Sequence, residues 1–396
     1  MNIDKIRNDT TGCSAVIHLN NAGAALMPKQ VADAIRDYIT DEEYHGGYEV
    51  ADKRSGELRS FYDYAAALLN TNPANIAFTT NATDSYNRAL SSVHFKQDDV
   101  VLISGNDYPS NFIAYLSLQK RFGIKIILVS NTETGEIDLD DLEIKIKKFS
   151  PKLLSVTHVP TSSGLVQPVN DIGKITQNYD TLFLVDVCQS LGQLPVDATA
   201  TNADFISGTF RKFLRGPRGA GLLYVSDKAL QAGYEPLFPD LHGAEWIDEN
   251  EYRPKAGARR FEDWETAYAL MMGSKEALKY LLDIGMENIE ARNAILNHKL
   301  RHDLKTFCNI DTLDRGKEQC SIITFRTGNK SLRSTKNFFK EKGINIYAIS
   351  KEDAIIDYKE KGIDWALRVS PHYYNTESEI DLLIEATKEL QETHQL

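Results

Sequence analysis

Cysteine is scarce in this 396-residue chain and follows no pattern: Cys13, Cys188, Cys308 and Cys320 have no CxxC spacing and no nearby histidine pair. A disulfide framework and a zinc centre are therefore not expected, no metal site is assigned, and a reducing cytoplasm is the expected location. No apolar run approaches the ~18 residues of a membrane helix. The segment from Met1 to Asp9 carries charge where a secretory signal would be apolar. Excess positive charge is also absent. The 45 Lys and Arg against 56 Asp and Glu leave a formal net charge of −11, so neither nucleic acid nor an anionic membrane surface is an expected partner. Neither GxGxxG nor GxxxxGK[ST] follows the first strand-like run, which argues against a nucleotide-binding α/β enzyme.

What is present reads as an ordinary globular chain, 42% hydrophobic and 26% charged, and long enough for two domains. From about residue 60 to 226, apolar runs of strand length alternate with amphipathic helical patterns. The strands expected are Ile76–Thr79, Asp99–Ser104, Lys125–Ser130, Leu153–Thr157, Leu182–Asp186, Phe205–Ser207 and Gly221–Val225; the helices are Ser85–His94, Ser110–Arg121, Leu139–Phe149 and Val169–Tyr179. Such alternation predicts an α/β fold with a mainly parallel sheet flanked by helices, and ligands in such sheets collect beyond the carboxyl ends of the strands. Residues 236–263 read as an irregular, Pro-, Gly- and charge-rich segment. A long helix is expected over Thr266–Leu300. Strand-like runs at Ser321–Arg326 and Trp365–Val369, with helices at Ser331–Lys342 and Glu377–Glu392, predict a smaller C-terminal α/β domain. The expected division is an N-terminal arm over 1–17 that packs on the small domain, a large domain over 18–265 and the small domain over 266–396.

The chemistry-bearing residues fall where such a sheet gathers ligands. Lys212 lies in Ser207-Gly-Thr-Phe-Arg-Lys-Phe-Leu-Arg-Gly-Pro-Arg-Gly219, and Asp186 ends the apolar run Thr181-Leu-Phe-Leu-Val-Asp186. An amine held among small polar residues and other cations loses proton affinity and becomes a nucleophile toward carbonyls. A buried Asp needs a partner, and a pyridinium nitrogen supplies one. The pair points to a pyridoxal phosphate Schiff-base enzyme; a basic surface loop and a helix-capping Asp are the plainer alternatives. Gln189 stands within reach of the same ring. Thr79-Thr80-Asn81-Ala82-Thr83 leads from a strand into a helix, as an anion cradle or an ordinary cap. Ser207, Thr209 and Arg211 offer further phosphate donors. Tyr108, in Asp107-Tyr-Pro-Ser-Asn111, and His158 are rings at strand carboxyl ends, each equally readable as a turn or core residue. Arg368, inside Trp365-Ala-Leu-Arg-Val369, needs an anion, either a substrate carboxylate or an internal carboxylate.

Taken in order, Ala82-Thr83, Tyr108, His158, Asp186-x-x-Gln189, Arg211-Lys212 and Arg368 resemble the class V aminotransferase and cysteine desulfurase group of pyridoxal phosphate enzymes, and the likeness runs from His18-Leu-Asn-Asn-Ala-Gly23 to Arg368-Val-Ser-Pro-His-Tyr-Tyr-Asn375. The resemblance implies fold type I and a homodimer with its active sites at the interface. It implies that Lys212 is the Schiff-base lysine, Asp186 the partner of the ring nitrogen and Gln189 that of the ring oxygen. It places the phosphate on Ala82, Thr83, Thr209 and Arg211, the ring against Tyr108, and the carboxylate of a small amino-acid substrate on Arg368 and Asn21. Tyr108 and His158 are the candidate acids, and Asp41–Tyr48 and Tyr252–Trp264, with Arg259 and Arg260, are expected at the entrance. The chain departs from the desulfurase pattern at Tyr108-Pro109, Thr161 and Arg211. It also has no cysteine between Tyr347 and Trp365 to accept a persulfide. The expected reaction is β-elimination of the carbon–sulfur lyase type, giving pyruvate, ammonia and a sulfur product. Amino transfer to a 2-oxo acid is the alternative, ahead of desulfuration, epimerisation or a non-catalytic role.

Overall fold

The computed structural model describes residues 1–327 and 331–392. Residues 328–330 and 393–396, both in the expected small domain, lie outside the described residues. Two helices that the sequence reading passed over, Lys29–His45 (α1) and Ser55–Leu69 (α2), precede the first strand of the large sheet. Seven strands follow: Ile76–Thr79 (β1), Val100–Ile103 (β2), Lys125–Leu128 (β3), Leu153–Thr157 (β4), Leu182–Asp186 (β5), Phe205–Thr209 (β6) and Gly221–Val225 (β7). Between them run the helices Ala82–Ser92 (α3), Pro109–Phe122 (α4), Leu139–Phe149 (α5) and Val169–Thr176 (α6).

The seven strands form one sheet in the order β1-β7-β6-β5-β4-β2-β3, parallel throughout except for β7, which is antiparallel to both neighbours. β1, β4, β5, β6 and β7 are buried along their whole length, as a sheet covered by helices on both faces requires. The outcome is the α/β architecture read from the alternation. The carboxyl ends of β1, β2, β4, β5 and β6 share one edge.

Three features differ from the sequence reading. Within 236–263 the chain forms an antiparallel hairpin, Ala244–Asp248 (β8) with Glu251–Pro254 (β9). Both strands are mostly exposed, so neither has the buried face that writes alternation into a sequence. The expected long helix is two, Tyr268–Ile284 (α7) and Met286–Cys308 (α8), divided at Gly285, whose φ of 88° breaks the helix. Helix α7 lies beyond residue 265, yet it packs Met271, Met272, Leu278 and Leu281 into the same core as Phe61, Phe78 and Phe210.

The C-terminal part holds a second, antiparallel sheet. It comprises Ile323–Phe325 (β10), Tyr347–Ser350 (β11) and Trp365–Val369 (β12), in the order β10-β12-β11. Helices Leu332–Glu341 (α9) and Glu377–Glu392 (α10) cover it, and α8 and α10 close a second core around Leu300, Phe325, Leu367 and Leu383. The N-terminal arm touches both parts. Arg7 pairs with Glu379 at 2.9 Å, whereas Asp9 and Thr10 accept bonds from Tyr280 and Arg215. Among the described residues no helix is long and apolar enough to cross a membrane.

Candidate active site

The shared edge of the large sheet opens into a cavity of about 230 Å³. β1 delivers Asn81, Ala82 and Thr83; β2 delivers Tyr108 and Asn111; β4 delivers Thr157, Val159 and Thr161; β5 delivers Asp186, Cys188 and Gln189; β6 delivers Thr209, Arg211 and Lys212. Eight sequence-predicted residues thus meet there: Ala82, Thr83, Tyr108, Asp186, Gln189, Thr209, Arg211 and Lys212.

One wall is the start of α3. Asn81 caps it by accepting a bond from the Asp84 N–H at 2.9 Å, and Ser207 donates to the Ala82 carbonyl at 3.1 Å, tying the turn to β6. At Gly221 a Cβ would stand 2.6 Å from the Asn81 carbonyl carbon, so glycine lets β7 pass under the turn. Free N–H groups at a helix start, beside Thr209 and Arg211, form a cradle for an anion.

Lys212 lines the same cavity. The residue is 6% exposed, and among the described residues its amine makes no hydrogen bond. Burial lowers its pKa to about 8, helped by Arg211 and Arg368 and opposed by Asp186. Cys188 opposes too, but only as a thiolate, and burial with Asp186 raises that thiol well above its usual range. Near neutral pH the lysine is still mostly the ammonium, but its neutral fraction is far larger than that of an ordinary lysine. Asp186 is fixed rather than free: Oδ1 accepts the Cys188 N–H at 2.9 Å and Oδ2 accepts an N–H of the Asn111 side chain at 3.3 Å. The Gln189 amide nitrogen donates to the Ala22 carbonyl and to Thr161 Oγ1, both at 3.1 Å, leaving Oε1 buried without a partner.

Arg368 stands behind Thr161, donating to its carbonyl at 3.1 Å and its Oγ1 at 2.7 Å, and to Asn20 Oδ1 at 3.3 Å. Its guanidinium lies over the Tyr347 ring, and burial lowers its pKa to about 10. Among the described residues it forms no salt bridge, and its Nε is buried without a partner. A desolvated cation left unpaired is costly, which favours an incoming carboxylate.

Besides Arg368, which stands behind Thr161 and does not itself line the cavity, two expected residues are not brought to it. Thr157 and Val159 line it, and His158 between them faces a separate cleft with Val166 and Gln167. His158 is 6% exposed, its Nδ1 has no partner, and burial lowers its pKa to about 4. Asn21 is fully buried and its amide is used structurally, donating to the Ser370 carbonyl at 2.7 Å and accepting from the Tyr374 hydroxyl. Its neighbour Asn20 contacts Arg368 instead, through a one-residue offset that the motif does not reveal. Asp41–Tyr48, Tyr252–Trp264 and the arginines Arg259 and Arg260 do not line the cavity of the single chain. Arg260 donates to the carbonyls of Lys255, Gly257, Leu230 and Tyr234. Asn111, Thr157 and Val159 carry no signal of their own in the sequence, since a small polar or apolar residue at the end of a strand or in the turn after it is commonplace.

The sequence model of the family described as Aminotransferase class-V matches residues 17–383. The chain belongs to this family. A relative named probable cysteine desulfurase, from Methanothermobacter thermautotrophicus, is 27% identical over 98% of each chain. The solved apo structure of a cysteine desulfurase from Thermococcus onnurineus NA1 superimposes with a TM-score of 0.91 at 24% identity, over 98% of each chain. A cystine C–S lyase in complex with its reaction product cysteine persulfide gives 0.84 at 20% identity, over 96% of this chain and 99% of that one. These likenesses establish pyridoxal phosphate fold type I. The class V protein is a pyridoxal phosphate-dependent enzyme. Its residues fit that cofactor: a free buried amine, a fixed carboxylate, an orphaned amide oxygen and an anion cradle surround a single cavity.

Proposed function

We propose that this enzyme performs β-elimination on an α-amino acid bearing sulfur at Cβ, releasing pyruvate, ammonia and a sulfur species. The observation that carries this reading is the placement of Lys212 and Asp186 on one small cavity with the unpaired guanidinium of Arg368 beside it. Bound pyridoxal phosphate supplies an aldehyde for imine formation and a ring that takes up the electron pair left at the substrate Cα. Lys212, in its neutral form, takes the Cα proton. Asp186 holds a proton at the ring nitrogen, and Gln189 contacts the ring oxygen. The α3 turn, with Ala82, Thr83, Thr209 and Arg211, binds the phosphate. Tyr108, 36% exposed at the cavity mouth, stacks on the ring and donates a proton to the departing sulfur. Arg368 grips the substrate carboxylate through a fork that includes its free Nε–H.

Two considerations select elimination to a diffusing acceptor. The curated relatives are named for carbon–sulfur chemistry. Yet Tyr347–Trp365 contains no cysteine, and Cys320 is a packed thiol whose pKa burial raises to about 12. Cys188 lines the cavity, but burial beside Asp186 raises its thiol well above the usual range, so desulfuration through a protein persulfide lacks a ready thiolate. The family description favours a second reading, transfer of the amino group to a 2-oxo acid. His158 and Asn21 have no part in either reading. We further propose a homodimer: Tyr48, Phe238 and Trp246 are 77%, 83% and 78% exposed, and a second copy would cover them. A division at 17 and 265, with α7 returning to the core of the large domain, and a cytoplasmic location, which suits four free cysteines, complete the reading.

The test is a borohydride reduction followed by peptide mapping, then incubation with cystine, cysteine sulfoxides and a panel of 2-oxo acids. Pyruvate with released sulfur supports elimination. A borohydride-stable adduct on a Lys212→Ala protein would refute the lysine's role. Amino transfer without elimination would establish the second reading.

A further inference from the structure

Behind Asp186 lies a second buried carboxylate that neither reading uses. Asp107 is 7% exposed. Its Oδ1 accepts the Tyr108 N–H and an N–H of the Asn111 side chain, each at 2.8 Å, and the Thr157 hydroxyl; its Oδ2 accepts the Tyr115 hydroxyl at 2.6 Å. The Asn111 amide also donates to Asp186 Oδ2 at 3.3 Å, so one side-chain amide bridges both acids. Deeper in the core, Tyr115 meets the Tyr86 hydroxyl, which meets Ser155 Oγ at 2.6 Å. Four donors fix Asp107, and among the described residues the Asn111 amide is the side-chain group hydrogen-bonded to both acids.

We propose that Asp107 is a positioning residue that acts through Asn111: the amide bridge aims Asp186 at the cofactor's ring nitrogen, and the second carboxylate adds negative charge behind it. The inference rests on the assignment of Asp186 made above. Two considerations support it. The same carboxylate holds the Tyr108 N–H, so it also sets the start of α4, which has Tyr108 at its N-cap and carries Asn111. Burial raises the Asp107 pKa to about 6; the bonds from Thr157, Tyr115 and Asn111 oppose this rise and Asp186 adds to it, so its charge changes within a working pH range. The groups facing it are Tyr108 at the N-cap of α4, Asn111 and Tyr115 from α4, Thr157 from β4 and Asp186 from β5, with Tyr86 from α3 beyond Tyr115.

The test follows the visible absorbance of the bound cofactor against pH, together with cofactor affinity on reconstitution, in Asp107→Asn, Asn111→Ala, the double variant and Asp186→Asn. Removing the charge at Asp107 should lower the protonation midpoint of the Schiff base by about half a pH unit or more and weaken cofactor retention roughly tenfold. Asn111→Ala should act similarly, and the double variant should go no further than the larger single effect. Additive effects, or an unmoved midpoint in Asp107→Asn while Asp186→Asn moves it, would overturn the role of Asp107 alone. An unmoved midpoint in Asp186→Asn would instead overturn the Asp186 assignment on which the inference stands. Should Asp107→Asn not fold, Tyr115→Phe removes one remote donor and should shift any inflection near pH 6 upward; no shift would count against the proposal.

Discussion

Replacing Lys212 with Met should make the cofactor-free protein more stable, by an amount that disappears with pH. The apoprotein must bury the Lys212 amine without a hydrogen bond, and burial lowers its pKa from 10.5 to about 8. Below pH 8 both the folded and unfolded chains carry the ammonium, and the folded chain bears its full desolvation cost. Between 8 and 10.5 the folded chain releases its proton first and the cost fades as pH rises. At 1.36 kcal/mol per pH unit, the shift corresponds to about 3 kcal/mol. Methionine has similar length and no charge to bury, so it leaves little cavity. Urea unfolding of both apoproteins from pH 7 to 10.5 should show the variant ahead by about 3 kcal/mol at pH 7, with the gap closing as pH rises through 8 and absent near 10.5. Equal stability at pH 7, or a gap independent of pH, would show that the amine is solvated or already paired.

Other outcomes follow from the same geometry. Arg368→Met should reduce kcat/KM for the amino-acid substrate by about a hundredfold, mainly through KM, with the cofactor spectrum retained; steady-state kinetics checks this. Gly221→Ala places a methyl 2.6 Å from the Asn81 backbone, which must retreat by about 0.8 Å to reach ordinary contact. It should cost roughly 1–3 kcal/mol and loosen phosphate binding, read by thermal unfolding and reconstitution. His158, with its pKa near 4, is neutral from pH 6 to 8, so His158→Leu should leave the pH profile of the rate unchanged over that range and the cofactor bound.

The apolar runs and their spacing were legible because a sheet covered on both faces requires continuous burial, and all seven strands of the large sheet were expected within a few residues of where they lie. The hairpin at Ala244–Pro254 was not, since exposed strands have no hydrophobic period. The break at Gly285 was hidden because apolar spacing persists on either side of a single residue with positive φ. Lys212, Asp186 and Arg368 stood out because a charge inside an apolar context always requires an explanation. Asn111, Thr157 and Asn20 are ordinary polar residues whose meaning comes from their neighbours in space. His158 and Asn21 show the reverse, since the motifs include them and the backbone turns them away.

Composition and periodicity by themselves settled the class of fold, the edge at which chemistry gathers and the residues able to carry it, because burial and charge act locally along the chain. Only the tertiary structure decided which of those residues share a cavity, and that Asp186 is tied through Asn111 to a second acid. Both depend on strand order and on side chains that are distant in sequence.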